Sequence, residues 1–207
     1  MPWAALVRLQ VPGVSRCTAS LIDPQTVVTA AHCLYGRRLG RFVPAGSVHL
    51  LLGYDKGSFV QHSIAASYAV APGYGPETGP AAGALDIAVV RLAQPVAPIG
   101  RTLPLADGPL PPGTPLTLGG YGQDRAEAVL ADAACTLLGY AGEGRSAVLV
   151  HDCEGTRGTS GAPLLVRDAS GAWQVAGVQS TARKEGAGGT AIPASAVRAL
   201  LRDRGHH

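Results

Sequence analysis

The sequence predicts an all-β fold, with two packed six-stranded antiparallel β-barrels and a short C-terminal helix. Short apolar or alternating segments recur along the chain, and each is bounded by Gly, Pro or Asp, as strands joined by turns are. The composition agrees, because 28 Gly, 16 Pro and 46% hydrophobic residues among 207 favour many short elements over long helices. A proline-rich span divides these segments into two sets of six.

The first set of segments lies before residue 95. Each segment has the two-residue alternation of a half-buried strand or the continuous apolar run of a fully buried one. The predicted strands are residues 4–11, 18–22, 27–30, 48–53, 63–70 and 86–92. This set would form the first barrel.

The proline-rich span between the two sets is predicted to be a connector. Pro95, Pro98, Pro109, Pro111 and Pro112 make it unsuitable for a central strand, because proline cannot donate a ladder hydrogen bond. Such a sequence is typical of a semi-rigid linker. We therefore expect a single domain over residues 1–207, with a first lobe at about 1–95, a connector at 96–114 and a second lobe at about 115–207.

The second set of segments would form the second barrel. Its predicted strands are residues 115–120, 128–139, 147–151, 162–166, 172–179 and 189–192. Residues 194–204 instead have helical spacing, with Val197, Leu200 and Leu201 on one face.

Charge and hydropathy exclude two classes of partner. Only 15% of the residues are charged, the net charge is +3, and the arginines are scattered without a basic run, so we expect no nucleic-acid partner. No apolar stretch approaches the roughly 20 residues that a membrane helix needs, so we expect no membrane partner either.

Three segments carry the residues of nucleophilic acyl transfer. His32 ends the run Thr-Ala-Ala-His, Asp86 opens Asp-Ile-Ala-Val-Val, and Ser160 lies in Gly-Thr-Ser-Gly. Taken alone, His32 is better interpreted as a core histidine beside a structural cystine. His, Asp and Ser in this order, each in a distinctive context, favour a catalytic triad instead.

These segments resemble those of the chymotrypsin/trypsin-like serine peptidases, in particular their compact bacterial members. The family's patterns are Cys-Gly-Gly-Ser-Leu-Ile, Thr-Ala-Ala-His-Cys, Asp-Ile-Ala-Leu-Leu and Gly-Asp-Ser-Gly-Gly-Pro. In this chain they are similar to residues 17–22, 29–33, 86–90 and 158–163. Residues 2–6, 119–122 and 197–204 also resemble the family's first strand, Gly-Trp-Gly turn and closing helix.

The resemblance implies a serine endopeptidase that acts on a peptide or protein substrate through an acyl-enzyme. His32 would be the general base for Ser160, and Asp86 would orient the imidazole. The backbone N–H groups of Gly158 and Ser160 would form the oxyanion hole. A catalytically silent module that binds or senses peptides in the same cleft is the alternative, as is a peptidase restricted to one partner and kept latent until triggered.

Two hydroxyl groups fall at family positions that support the catalytic aspartate, those of Thr29 and Ser180. Two other positions depart from the family's pattern. Ala162 replaces a glycine, a change of one methyl group. Thr159 replaces the aspartate that pairs with a new N-terminal ammonium after zymogen cleavage, so the oxyanion loop must be held by other means or organised by a substrate or partner.

The resemblance also indicates residues that bind the substrate. Glu154 falls where the family places the floor of the primary specificity pocket, and a carboxylate there would favour Lys or Arg. Gly189 falls at a wall position that must be small to admit a long side chain, and Ala182 is similarly small. Ser180 is also expected to be a substrate-binding residue. Glutamyl-specific relatives usually place a histidine after the nucleophile, and residues 161–205 contain none.

Four cysteines suggest two disulfides. The family pattern implies Cys17–Cys33, and proximity within the second lobe favours Cys135–Cys153. Disulfides predict a secreted or periplasmic protein. None of the cysteines forms a Cys-x-x-Cys pair, and His49, His62 and His151 lack a ligand pattern, so we expect no metal and no cofactor. We also expect a monomer.

Overall fold

The computed structural model describes residues 2–75, 83–96, 102–122, 128–155, 158–183 and 186–204. It contains two closed six-stranded barrels, in which neighbouring strands pair antiparallel, and one C-terminal helix. The predicted fold class is confirmed. No helix among the described residues is long and apolar enough to cross a membrane.

The first barrel has the strand order β1-β2-β3-β8-β7-β6. Its strands are β1 (Leu6–Val11), β2 (Ser15–Asp23), β3 (Thr26–Thr29), β6 (His49–Leu52), β7 (Gln61–Val70) and β8 (Ala88–Leu92). A two-stranded sheet of β4 (Tyr35–Gly36) and β5 (Arg41–Phe42) follows the turn that carries His32. The pattern of the sequence did not predict this sheet, because strands of two residues have no measurable alternation.

The second barrel has the strand order β10-β11-β14-β13-β12-β9. Its strands are β9 (Pro115–Gly120), β10 (Leu130–Ala141), β11 (Val148–His151), β12 (Pro163–Arg167), β13 (Trp173–Ala182) and β14 (Gly189–Pro193), followed by the helix α1 (Ala194–Arg204). Closing both sheets pairs the edge strands, which removes exposed ladder groups.

Every predicted strand except 115–120 differs from the structure at one boundary or both, by one to three residues, and two of these differences have a clear local cause. Residues 4 and 5 belong to a 3₁₀ turn, Pro2–Ala5. Asp86 and Ile87 precede β8, because Asp86 N–H donates to the carbonyl of Gly83 and Ile87 N–H to that of Leu85. These turn bonds take Asp86 out of the ladder, which leaves its carboxylate at the end of the barrel.

The barrels share a buried core. The larger apolar cluster contains first-barrel residues such as Leu9 and Leu50 together with Leu165, Val178 and Ile192 of the second barrel. Helix α1 joins this cluster through Val197 and Leu200, the face that the sequence predicted, and through Leu201, which packs against it. The barrels are therefore packed on one another by continuous apolar contact and do not merely share a linker.

The described part of the connector bonds to both barrels. Leu103 N–H donates to the carbonyl of Leu21 at 2.8 Å, and Ala106 N–H donates to that of Val175 at 2.9 Å. Arg198 on α1 donates to the carbonyls of Leu105 and Ala106 at 2.7 and 2.8 Å. The connector is thus held against the barrels along its backbone.

Both predicted disulfides are present, Cys17–Cys33 and Cys135–Cys153. The first joins β2 to the 3₁₀ turn Ala31–Leu34, in which Cys33 is the neighbour of His32. Ser15 Oγ donates to the carbonyl of Cys33 at 2.6 Å and holds the same turn.

Removal of either disulfide should destabilise the fold to a similar extent. The two bridges span sequence separations of 16 and 18 residues, for which lost loop-closure entropy predicts about 3 kcal/mol each. The Cys17→Ala/Cys33→Ala and Cys135→Ala/Cys153→Ala variants are compared by denaturant unfolding. Only the first pair should also reduce the peptidase activity that the resemblance implies, because only that bridge holds the turn of His32. An equal fall in activity in both would contradict this assignment.

Candidate active site

A cleft of about 800 Å³ lies between the two barrels. It is lined by His32 and Asp86 from the first barrel and by Ser160, Ser180 and Ala182 from the second. The three residues predicted to form the triad therefore line one cleft, although they lie far apart in the sequence.

Asp86 holds His32 at two points. The backbone N–H of His32 donates to Asp86 Oδ1 at 2.8 Å, and His32 Nδ1 lies 2.6 Å from Asp86 Oδ2. The aspartate is nearly buried, with 7% of its side chain exposed, whereas the histidine is 29% exposed at the cleft. With Nδ1–H donating to the carboxylate, His32 Nε2 is left as the acceptor that a general base requires.

Two further groups bond to the carboxylate of Asp86. Ser180 Oγ donates to Oδ2 at 2.6 Å, and this bond crosses from the second barrel to the first. The hydroxyl of Tyr74, which also lines the cleft, donates to Asp86. Burial, the charge of Asp86 and this bond raise the pKa of Tyr74 well above its usual value. Tyr74 was not predicted, because a tyrosine after Pro-Gly has no distinctive sequence context.

The pKa of Asp86 is lowered from 3.8. Burial alone would raise this pKa, but the hydrogen bonds and charge of His32, with the bond from Ser180, outweigh burial. Because the folded-state pKa lies below the unfolded one, the carboxylate stabilises the fold above the unfolded pKa. That contribution is lost as the pH falls through the folded value.

The supporting role expected for Thr29 was wrong. Its hydroxyl donates to the carbonyl of Thr18 at 2.8 Å and not to Asp86. Thr29 and Thr18 lie on adjacent strands, so the carbonyl of Thr18 is within hydrogen-bond distance of the Thr29 hydroxyl and accepts its hydrogen bond. Ser180 supports the aspartate as expected.

The loop of Ser160 needs glycine for two different reasons. Gly158 has φ +100°, a conformation that side chains disfavour. Gly161 has φ +79°, and a Cβ there would lie 2.2 Å from both the carbonyl oxygen of Thr18 and the hydroxyl of Thr29. The backbone of this loop therefore lies directly on the first barrel. Ala162 N–H donates to the carbonyl of Thr159 at 2.9 Å and closes the turn around Ser160.

The family model described as Trypsin matches residues 1–201 of the chain. The chain belongs to the trypsin family. As a member of the trypsin family it is a serine endopeptidase, a hydrolase of peptide bonds in proteins. No curated protein matches this sequence.

The residues predicted to set the specificity of this trypsin-family member fall in different places. Ser180 and Ala182 line the cleft, and Gly189 pairs with Ala182 in the β13–β14 ladder. A Cβ on Gly189 would lie 2.1 Å from the carbonyl oxygen of Thr181, so this position must be glycine. Glu154 is exposed and is not among the described residues that line the cleft; its backbone N–H donates to Asp132 Oδ2 at 2.8 Å.

A buried polar pair lies behind these residues. His151 Nδ1 accepts from the backbone N–H of Cys153 at 3.2 Å, so Nε2 carries the proton and donates to Gln179 Oε1 at 2.7 Å. Burial lowers the pKa of His151 and keeps the ring neutral, although the bond to Gln179 acts in the opposite direction. Gln179 Nε2 donates to the carbonyl of Thr181, next to Gly189. The one sequence signal for this pair is a glutamine at the end of an apolar strand.

The described residues contain two clusters of three potential metal ligands, and each is built on a disulfide. Sulfur atoms bonded to one another are not thiolates and cannot serve as metal ligands in that state. His49 Nδ1 and His62 Nε2 lie 2.9 Å apart on adjacent strands, but neither histidine belongs to such a cluster.

Loss of the Ser180 hydroxyl should raise the pKa of Asp86. Ser180→Ala removes a donor to the carboxylate, whereas Thr29→Val, an isosteric change, removes a hydroxyl that bonds elsewhere. The pKa is followed by NMR titration of ¹³C-labelled Asp86. Ser180→Ala should also reduce kcat/KM by about tenfold, as expected for one hydrogen bond to a charged group. The same rise in the Thr29→Val variant would contradict the assignment.

Proposed function

We propose that this trypsin-family endopeptidase cleaves peptide bonds with His32, Asp86 and Ser160 as its catalytic triad. The observation that carries the proposal is the double hydrogen bond of Asp86 to His32, in the cleft that Ser160 also lines. Those bonds fix both the tautomer and the orientation of the imidazole.

In the proposed reaction Ser160 Oγ attacks the carbonyl carbon of the substrate while His32 Nε2 takes the hydroxyl proton. The carbonyl oxygen becomes an oxyanion, which the backbone N–H groups of Gly158 and Ser160 stabilise. When the C–N bond breaks, the imidazolium returns its proton to the leaving amine. Water activated by His32 then hydrolyses the acyl-enzyme and regenerates the Ser160 hydroxyl.

Substitution of the triad should abolish turnover without unfolding the chain. Ser160→Ala or His32→Ala should lower kcat by about 10⁴–10⁶-fold, and Asp86→Asn by about 10⁴-fold because the wrong tautomer of His32 is favoured. Activity is measured on a casein substrate, with Ser20→Ala as the control for loss of a buried hydroxyl. A fluorophosphonate should label the native chain but not Ser160→Ala. Absence of labelling in the native chain would favour the silent peptide-binding module.

We also propose cleavage after Lys or Arg, with Glu154 as the residue that attracts the cation. Although Glu154 is not among the described residues that line the cleft, its carboxylate is exposed and, within the described part of the chain, takes part in no ion pair, so a substrate side chain can supply the opposite charge. Ala182 and Gly189 add no bulk to the adjoining strands.

Neutralising Glu154 tests this specificity. Glu154→Gln should raise KM for Lys and Arg substrates and leave small apolar substrates nearly unaffected. Asp203→Asn on α1 makes the same change of charge away from the cleft and is the matched control. A cleavage profile from a peptide library without Lys or Arg preference, or equal losses for all side chains, would contradict the proposal.

The cellular compartment and the oligomeric state of the chain are part of the same proposal. Two disulfides and no free cysteine among the described residues are consistent with an oxidising environment, and we propose that the chain acts as a monomer after secretion or in a periplasm.

A further inference from the structure

The oxyanion loop of this chain contains a neutral residue where the family's pattern has a charge. Thr159 replaces the aspartate of Gly-Asp-Ser-Gly, and its side chain is buried. A threonine cannot form an ion pair with an ammonium group. The loop is therefore held in shape by contacts other than an ion pair of residue 159.

A second departure lies directly against this loop. The family's Cys-Gly-Gly-Ser pattern is Cys-Thr-Ala-Ser here, so that Thr18 adds a hydroxyl where the pattern has only hydrogen. Thr18 is fully buried on β2 of the first barrel. Its Oγ1 donates to the carbonyl of Gly158 at 3.1 Å, and its backbone N–H donates to the carbonyl of Ser160 at 2.9 Å.

A third hydrogen bond fixes the direction in which the Thr18 hydroxyl points. The backbone N–H of Tyr121 donates to Thr18 Oγ1 at 2.9 Å. Because a lone pair of Oγ1 is occupied by this donor, the hydroxyl proton is free to point at the carbonyl of Gly158. The hydroxyl thus bridges β2 to two separate segments of the second barrel.

We propose that Thr18 is a positioning residue that holds the oxyanion loop in its catalytic shape, in the role that an ion pair of residue 159 would otherwise have. This inference rests on the proposed function, in which Gly158 N–H is an oxyanion donor. The bond to the carbonyl of Gly158 fixes the peptide plane that follows this residue. Rotations about φ and ψ of Gly158 separate that plane from the N–H, and glycine has no side chain to restrict either, so the hydroxyl of Thr18 supplies a restraint that the residue itself lacks.

The surrounding structure has room for this hydroxyl because of Gly120. A Cβ on Gly120 would lie 2.8 Å from Thr18 Oγ1 and 2.9 Å from the methyl group of Ala162. The hydroxyl of Thr18 and the methyl group of Ala162 therefore both occupy space that is open because Gly120 has no side chain. The three positions form one packed unit behind the loop of Ser160.

The test compares Thr18→Val, which keeps the shape and loses the hydroxyl, with Thr18→Ser, which keeps the hydroxyl. Ser20→Ala is the matched control, since Ser20 is buried on the same face of β2 and its hydroxyl has no hydrogen-bond partner among the residues that the structure describes. Kinetics on a peptide amide are measured together with the affinity for a peptide aldehyde, which forms a tetrahedral adduct with Ser160.

Thr18→Val should lower kcat about 10–100-fold with little change in KM, somewhat less than outright loss of an oxyanion donor. Affinity for the aldehyde should fall by a similar factor, while affinity for the cleaved peptide product stays constant. Thr18→Ser should retain activity to within about threefold, and Ser20→Ala should match the native chain. A merely structural role would lower the concentration of active sites, which fluorophosphonate titration counts, without changing kcat per site.

The outcomes separate this inference from the proposed function. If the native chain shows no turnover that depends on Ser160, the proposed function fails. If it does, but Thr18→Val keeps native kcat and aldehyde affinity per active site, only the role of Thr18 is overturned. Should Thr18→Val fail to fold, Thr18→Ala removes the same hydroxyl with less bulk and is judged by the same two measurements.

Discussion

The hydrogen bond from Ser180 Oγ to Asp86 Oδ2, at 2.6 Å, joins the two barrels at the cleft that both residues line. It is the point on which the geometry of the site depends, because neither barrel alone contains both a histidine–aspartate pair and the proposed nucleophile. A shift of one barrel against the other by a single ångström would break this bond and displace Ser160 from His32. Catalysis therefore requires the relative position of the barrels to be fixed.

The rest of the fold maintains that position. The larger apolar cluster runs from the first barrel through Leu165 and Val178 of the second and ends under α1. Arg198 donates three hydrogen bonds from α1 to residues 105–107 of the connector, so this part of the connector is held against α1. Apolar contact supplies most of the stabilisation, whereas the hydrogen bonds fix the position of one barrel relative to the other.

The sequence predicted the barrels because alternation and turn residues are local signals that a strand carries with it. The serine-peptidase assignment was equally accessible, since residues around His32, Asp86 and Ser160 each form a recognisable context. The partner of Thr29 was predicted wrongly and the bond of Thr18 to Gly158 was not foreseen. That bond spans a sequence separation of 140, so no local pattern can indicate it. The bond of Ser180 to Asp86 was expected only because a family pattern indicates it, whereas the bond of Thr18 has no such pattern and follows from the packing of the barrels.

The hydroxyl of Thr18 differs from an ammonium–carboxylate pair in having no proton to lose near neutral pH. A terminal ammonium has a pKa of about 8, so a site held by one weakens as the solution becomes alkaline and exists only after a peptide bond has been cut. A site held by a threonine is subject to neither condition. In the role proposed for Thr18, its hydrogen bond to Gly158 forms when the barrels pack and keeps its strength as the solution becomes alkaline.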